Sequence, residues 1–261
     1  MTSIKKSPSG ARENVGGGGG VSAAVLGLPV NAAGLVVLPD NRINLRTGSR
    51  TNAAGAYNGG GTGNKVFAGL TAFDQLPLGQ LTAIEYTWTN QLGPGGPNFL
   101  PPTVATTTTP FINLIVDFGA GDLRVLICLS DQLAPAINAA LGTYVNNGSN
   151  LLTYSWNNAK AVCIVGAPPA AVPGGVVPSV TVGPGFLENA YSFAALVAAN
   201  PLAKLVTAFP ANAVLFPTGD GGAPVGAVLP SILVVSGDSG TLVKSGKTLH
   251  TLKVNGVSVF A

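Results

Sequence analysis

Charge is scarce in this sequence. Asp, Glu, Lys and Arg make up 9% of its 261 residues, against about a quarter in ordinary soluble domains. A surface so poor in ions has little like-charge repulsion to keep copies apart. Histidine occurs once, at His250, and cysteine twice, at Cys128 and Cys163. Those counts exclude the usual His/Cys ligand sets for zinc, and no metal or cofactor is expected. No apolar run approaches the roughly 20 residues that span a bilayer before Pro, Gly or Asn interrupts it, so the expectation is a soluble chain with no membrane span. The opening Met-Thr-Ser-Ile-Lys-Lys has no apolar segment behind its lysines, and no standard signal peptide is read there.

What is present points to β-structure. The chain is 46% apolar with 36 Gly and 20 Pro, and it carries 21 Thr and 20 Asn, residues that hydrate a surface through dipoles. Residues 1–65 hold seven Lys or Arg against Glu13 and Asp40, while residues 66–261 hold six against eight acids. A basic leading segment can touch phosphate, but these charges are spread too thinly for a nucleic-acid arm, and nucleic acid is not expected as a partner. Residues 1–20 end in Gly16–Gly20 and read as a flexible arm that cannot bury enough apolar surface to order itself. Residues 21–261 read as a single β-sandwich domain, since such domains often exceed 200 residues.

Local patterns place the elements. Short apolar stretches at Val25–Leu28, Leu35–Leu38 and Ile43–Leu45 suit strands. In Leu81–Thr89, Ile84, Tyr86 and Trp88 alternate with Ala83, Glu85, Thr87 and Thr89, so the rings share one face and the polar residues the other. Residues 91–110 are too rich in Gly, Pro and Thr to form an element. Phe111–Phe118, the turn Gly119-Ala-Gly121 and Asp122–Leu129 read as a hairpin whose glycines permit positive φ. Two short helices are expected. Asp131 caps Gln132–Leu141, and Ser192 caps Phe193–Ala199, which Asn200-Pro201 ends. Further strands are Asn150–Trp156, Ala161–Val165, Val176–Val182, Leu205–Phe209, Val214–Phe216 and Ser231–Val235. Asn255-Gly256 between Thr248–Val254 and Val257–Phe260 is a strong hairpin signal. Cys128 and Cys163 fall in apolar strand runs, where a buried free pair and a disulfide are both compatible; the free pair is the expectation.

Ten or more strands with two short connecting helices imply an all-β sandwich or barrel; with the resemblance given next, the expectation is a jelly-roll-like β-sandwich. Leu81-Thr-Ala-Ile-Glu-Tyr-Thr-Trp88, Pro110-Phe-Ile-Asn-Leu-Ile-Val-Asp117, the Ser192–Pro201 helix and Val254-Asn-Gly-Val-Ser-Val-Phe260 together resemble the jelly-roll modules of secreted bacterial and viral surface proteins. That resemblance implies an extracellular or virion location. Some such modules hold Ca²⁺ in an Asp/Gly-rich turn, thinned here to Asp117 and Asp122.

Several fragments imitate catalytic motifs. Gly237-Asp-Ser-Gly240 copies a serine-protease nucleophile segment, yet that chemistry needs a histidine and a buried acid, and His250 stands only eleven residues beyond Ser239. Ser245-Gly246-Lys247-Thr248 copies the end of a P-loop, but Thr241 occupies the required glycine position, and Lys244 and Lys247 read as turn charges. Asp117-Phe-Gly119 has no kinase companions. Glu85 is a candidate glycosidase acid without a nameable partner. Asn147-Gly-Ser149 spells a glycosylation acceptor. Tyr86 with Trp88 and Tyr154 with Trp156 form two aromatic pairs and are the candidate ligand-binding residues: exposed, they would stack on a glycan; buried, they would fill the space between sheets. The expected function is a non-enzymatic structural or adhesive component of an extracellular assembly, with identical subunits or companion structural proteins as partners. A carbohydrate-binding module is the alternative, and a secreted glycoside hydrolase a more distant one.

Overall fold

The computed structural model describes residues 5–6, 12–13, 25–27, 34–37, 42–47, 65–70, 72–90, 110–128, 143–146, 151–165, 172–181, 189–208, 229–237 and 245–260. In chain order the strands are β1 (Lys5–Lys6), β2 (Arg12–Glu13), β3 (Val25–Gly27), β4 (Gly34–Val37), β5 (Ile43–Thr47), β6 (Lys65–Leu70), β7 (Ala83–Asn90), β8 (Phe111–Asp117), β9 (Leu123–Cys128), β10 (Thr143–Asn146), β11 (Leu151–Asn157), β12 (Ala161–Val165), β13 (Val180–Thr181), β14 (Asn189–Ser192), β15 (Lys204–Leu205), β16 (Ile232–Gly237), β17 (Ser245–Val254) and β18 (Val257–Phe260). The α-helix among the described residues is α1 (Phe193–Ala199), and 3₁₀ turns lie at Leu78–Gln80 and Pro173–Gly175. The expected helix at 132–141, the strand at 214–216 and the loop at 91–109 lie outside the described residues. Of the leader, β1 and β2 pair as a two-stranded antiparallel ribbon.

The strands form an antiparallel sandwich. One sheet is seven-stranded, β10-β11-β7-β17-β5-β4 with β18 also on β17; the other is nine-stranded, β13-β14-β12-β9-β8-β16-β6-β3 with β15 also on β8. The pairings nest: β10 with β11, inside β9 with β12, inside β8 with β16, inside β7 with β17. The nested pairs are shared between the two sheets, and β8 and β9 form a direct hairpin within one of them.

Local chemistry explains the elements. Ser192 caps α1 by accepting a hydrogen bond from the Ala195 N–H at 3.3 Å, and the helix stops at Asn200 before Pro201. The β17–β18 turn takes left-handed backbone at Asn255 (φ 53°) and Gly256 (φ 77°), the geometry that matches strand twist. Of the strand expected at 176–182, residues 176–179 stay outside the ladder, where Pro178 has no N–H to give, and Val180–Thr181 form β13; residue 182 lies outside the described residues. The strand expected from Leu205 is the two-residue β15, followed by an isolated bridge between Ala208 and Leu229.

The two sheets differ in how they use their faces. In β11 burial alternates along Leu151–Asn157, and β7 does the same, with Ile84, Tyr86 and Trp88 buried. At β7 and β11 one face meets the core and the other is partly open to water, as antiparallel sheets permit, while Asn44 and Thr248 on that outer side are buried. In β8, Ile112 to Val116 are buried without a break, so residues on both faces of the nine-stranded sheet are enclosed. Ile112, Leu114, Leu126, Cys128, Val162, Ile232 and Val234 face the shared core, where each large apolar side chain contributes about 1.5–3 kcal/mol by leaving water.

Candidate functional site

The four candidate ring residues lie inside the sandwich. Register sets Tyr86 opposite Tyr154 across β7 and β11. Their rings stack at 4.9 Å between centroids, and Trp88 tilts against Tyr86 at 5.3 Å. Trp156 meets Phe193 of α1 edge-on at 4.9 Å. Tyr86, Trp88, Tyr154 and Trp156 are at most 2% exposed. The Tyr86 hydroxyl donates to the Pro110 carbonyl, and the Tyr154 hydroxyl donates to the Cys128 carbonyl at 3.1 Å. A sugar-stacking platform needs ring faces open to water, and these are shut between the sheets; the arrangement fills a core and ties its layers together.

Each carboxylate whose side chain is described works within the fold. Asp117 Oδ1 accepts from the Gly119 N–H at 2.8 Å, closing a turn in which Gly119, Ala120 and Gly121 all take positive φ. Asp122 forms a two-point ion pair with Arg124. This hairpin holds both of its acids by internal donors, and no group of three or more His, Cys, Asp or Glu placed to hold a metal ion occurs among the described residues. Asp74 Oδ1 accepts from the Thr207 N–H at 2.6 Å. Glu85 pairs with Lys253 Nζ at 3.2 Å across neighbouring strands. The other outward positions of β7 and β11 are Ala83, Thr87, Thr89, Leu151, Thr153, Ser155 and Asn157, so these strands bring no second acid to Glu85.

The remaining motif fragments take other roles. Ser245 to Thr248 begin β17, so the P-loop resemblance falls on a strand. The reading of Lys247 as a turn charge is corrected: it pairs with Leu45 and Asn90 in mid-sheet and is 1% exposed. A lysine so enclosed is tolerated only where its ammonium is hydrogen-bonded or paired. His250 sits at the irregularity between Leu249 and Thr251, with Nε2 2.8 Å from Thr89 Oγ1. Ser239 and the Asn147-Gly-Ser149 triplet lie outside the described residues. Cys128 and Cys163 are free and buried. Cys128 pairs with Val162 and Cys163 with Ile127, so the two thiols point to opposite faces of their sheet. Burial pushes the Cys128 thiol far above its ordinary value and that of Cys163 up to about 12, which leaves both as poor nucleophiles.

Sequence reasoning alone does not assemble the array on the open face of the seven-stranded sheet. Strand register aligns Asn44, Thr248 and Thr89 in one row, Thr251, Thr87 and Thr153 in a second, and Lys253, Glu85 and Ser155 in a third. Thr87 and Thr251 share a hydroxyl–hydroxyl bond of 2.7 Å, and Thr248 donates to Asn44 at 2.8 Å. Asn44 and Thr248 are buried; Thr87, Thr89, Thr153, Ser155 and Thr251 are partly exposed. The alternating Thr and Ser of β7 and β11 are the available signal, but their alignment depends on pairing between distant segments. No family model, curated protein or solved structure matches the chain.

Proposed function

We propose that this chain is a non-enzymatic structural component of a larger extracellular assembly, such as a virion or a cell-surface structure. The observation that carries the reading is the use of charge. Only 9% of residues are ionic, and the described acids Asp74, Glu85, Asp117 and Asp122 each bond to a backbone N–H or a neighbouring cation of the same fold. Carboxylates used this way brace turns and strands. A surface with so few charges lets like chains approach closely, because little electrostatic work opposes the encounter. The sandwich supplies a rigid body for such packing.

Sedimentation velocity of the full chain over a range of concentrations tests the reading. Expected is self-association into larger species that persists from low salt to about 1 M, because neutral contacts are little screened; removal of residues 1–20 weakens it. A monomer at every concentration overturns the proposal.

A further inference from the structure

We propose that Asn255 is a site of spontaneous deamidation that the fold holds in check, and that its conversion releases the last hairpin from the start of β7. The inference is independent of the assembly reading. Asn-Gly occurs in the chain at Asn58, Asn147 and Asn255. Of these, Asn255 is the one that lies among the described residues.

The reaction needs a nucleophile, an electrophile and water. The Gly256 amide nitrogen loses its proton to solvent and attacks Asn255 Cγ; the N–Cγ bond forms, the Cγ–Nδ2 bond breaks, and Nδ2 leaves as ammonia. Water then opens the cyclic imide at either carbonyl, giving aspartate or isoaspartate. The net change is one water taken up and one ammonia released, with no oxidant or reductant. Glycine suits the attacking side because no Cβ crowds the nitrogen, and a Cβ built at Gly256 meets nothing within 4 Å. Asn255 and Gly256 are both exposed, so water reaches them.

The electrophile is what the fold restrains. Asn255 Oδ1 accepts from the Thr82 N–H at 2.7 Å, the Thr82 hydroxyl at 3.0 Å and the Ala83 N–H at 3.3 Å, while Nδ2 donates to the Gln80 carbonyl at 2.8 Å. The carboxamide is thus fixed at both ends on the segment leading into β7, and turning Cγ towards the Gly256 nitrogen breaks these bonds. Opening of the hairpin frees it. β18 has four residues, β17 is its ladder partner among the described strands, and their register shifts between Leu252 and Lys253. Short terminal pieces of this kind open locally without global unfolding.

Conversion works in one direction only. In aspartate an oxygen stands where Nδ2 stood and faces the Gln80 carbonyl, acceptor against acceptor. In isoaspartate the main chain gains a methylene inside a tight turn whose φ values are 53° and 77°. Either product prevents the hairpin from docking as before, so the end of the fold loosens with age.

Peptide mapping by mass spectrometry of the full chain, aged at neutral pH, reads each Asn-Gly separately. In denaturing urea Asn255 is expected to convert readily, with isoaspartate among the products. In the native chain conversion is expected to be at least about tenfold slower, since several hydrogen bonds must first break. Thr82→Val removes the hydroxyl donor and is expected to speed native conversion by about twofold or more, leaving the rate in urea unchanged. Asn255→Asp, the product made directly, is expected to melt below wild type and to exchange the amide hydrogens of residues 257–260 faster. If Thr82→Val fails to fold by circular dichroism, the comparison of native with urea-unfolded wild type carries the test. Native conversion as fast as in urea overturns the restraint, absence of conversion in urea overturns the site, and an Asn255→Asp variant that melts and exchanges as wild type overturns the release.

Discussion

Tyr86 and Tyr154 stack at 4.9 Å in one sheet and send their hydroxyls to backbone carbonyls of the other, at Pro110 and Cys128. Pro110 immediately precedes β8, and Cys128 ends β9, where it pairs with Ile112. Two rings on adjacent strands thus grip neighbouring points of the opposing hairpin. Tyr86→Phe and Tyr154→Phe are each expected to lower stability by about 1–2 kcal/mol in urea denaturation, the loss of a buried hydrogen bond with its carbonyl left unsatisfied. Because the rings touch, the double variant departs from the sum of the singles.

Asn255 latches the last hairpin to the start of β7. Its Oδ1 accepts from the Thr82 N–H at 2.7 Å and the Thr82 hydroxyl at 3.0 Å, and its Nδ2 donates to the Gln80 carbonyl at 2.8 Å. Asn255→Gly removes these bonds but keeps a backbone at ease with positive φ. Asn255→Ala removes them and adds left-handed strain of about 1 kcal/mol or more. Thermal melts should therefore rank wild type above Asn255→Gly above Asn255→Ala; an alanine variant as stable as wild type would refute the latch.

Gly69 shows why a strand interior can require glycine. A Cβ built there would lie 2.4 Å from Pro230 Cγ and 2.8 Å from Pro230 Cβ. The proline ring cannot swing aside as a flexible side chain could. Gly69→Ala is expected to destabilise by about 1–3 kcal/mol, the usual range for overpacking, and Pro230→Ala should recover part of the loss when combined with it.

The buried thiols set an alkaline limit. Both have an ordinary value of 9.0, and in the fold Cys163 is pushed up to about 12 and Cys128 higher. Above pH 9 the unfolded chain releases these protons while the native chain keeps them, so the unfolded state binds fewer protons and stability falls as pH rises. Their contribution is fully present below pH 9 and fades from there towards pH 12 and beyond. Melting temperature should hold steady through neutral pH and decline above 9, with a shallower decline in Cys163→Ala. A thiol reagent should label neither cysteine in the native protein and both after denaturation.

Much of the fold was legible because its signals are local. Period-two alternation identifies β7 and β11, and the separated apolar arms around Gly119-Ala-Gly121 identify the β8–β9 hairpin. Ser192 and Pro201 bracket α1 through a cap and a steric stop, and Asn255-Gly256 names its own turn. What a local reading cannot deliver is which strands become neighbours. That pairing aligns Thr87 with Thr153 and Thr251 into an outward array, and it puts Lys247 in mid-sheet where its sequence neighbours read as a turn. For Tyr86, Trp88, Tyr154 and Trp156 the sequence fitted burial and exposure alike. Only the packing of the second sheet over their faces decides between the two.

The placement of β17 between β5 and β7 has a consequence for biogenesis. Thr87 and Thr251 are 164 residues apart in sequence, so on a growing polypeptide the aromatic strand emerges long before the strand that flanks it. Contacts of such long range slow folding, and incomplete sheets with open apolar edges are prone to aggregate. Until residues 245–254 are made, the seven-stranded sheet therefore has an open edge at β7 that only a late part of the chain can close.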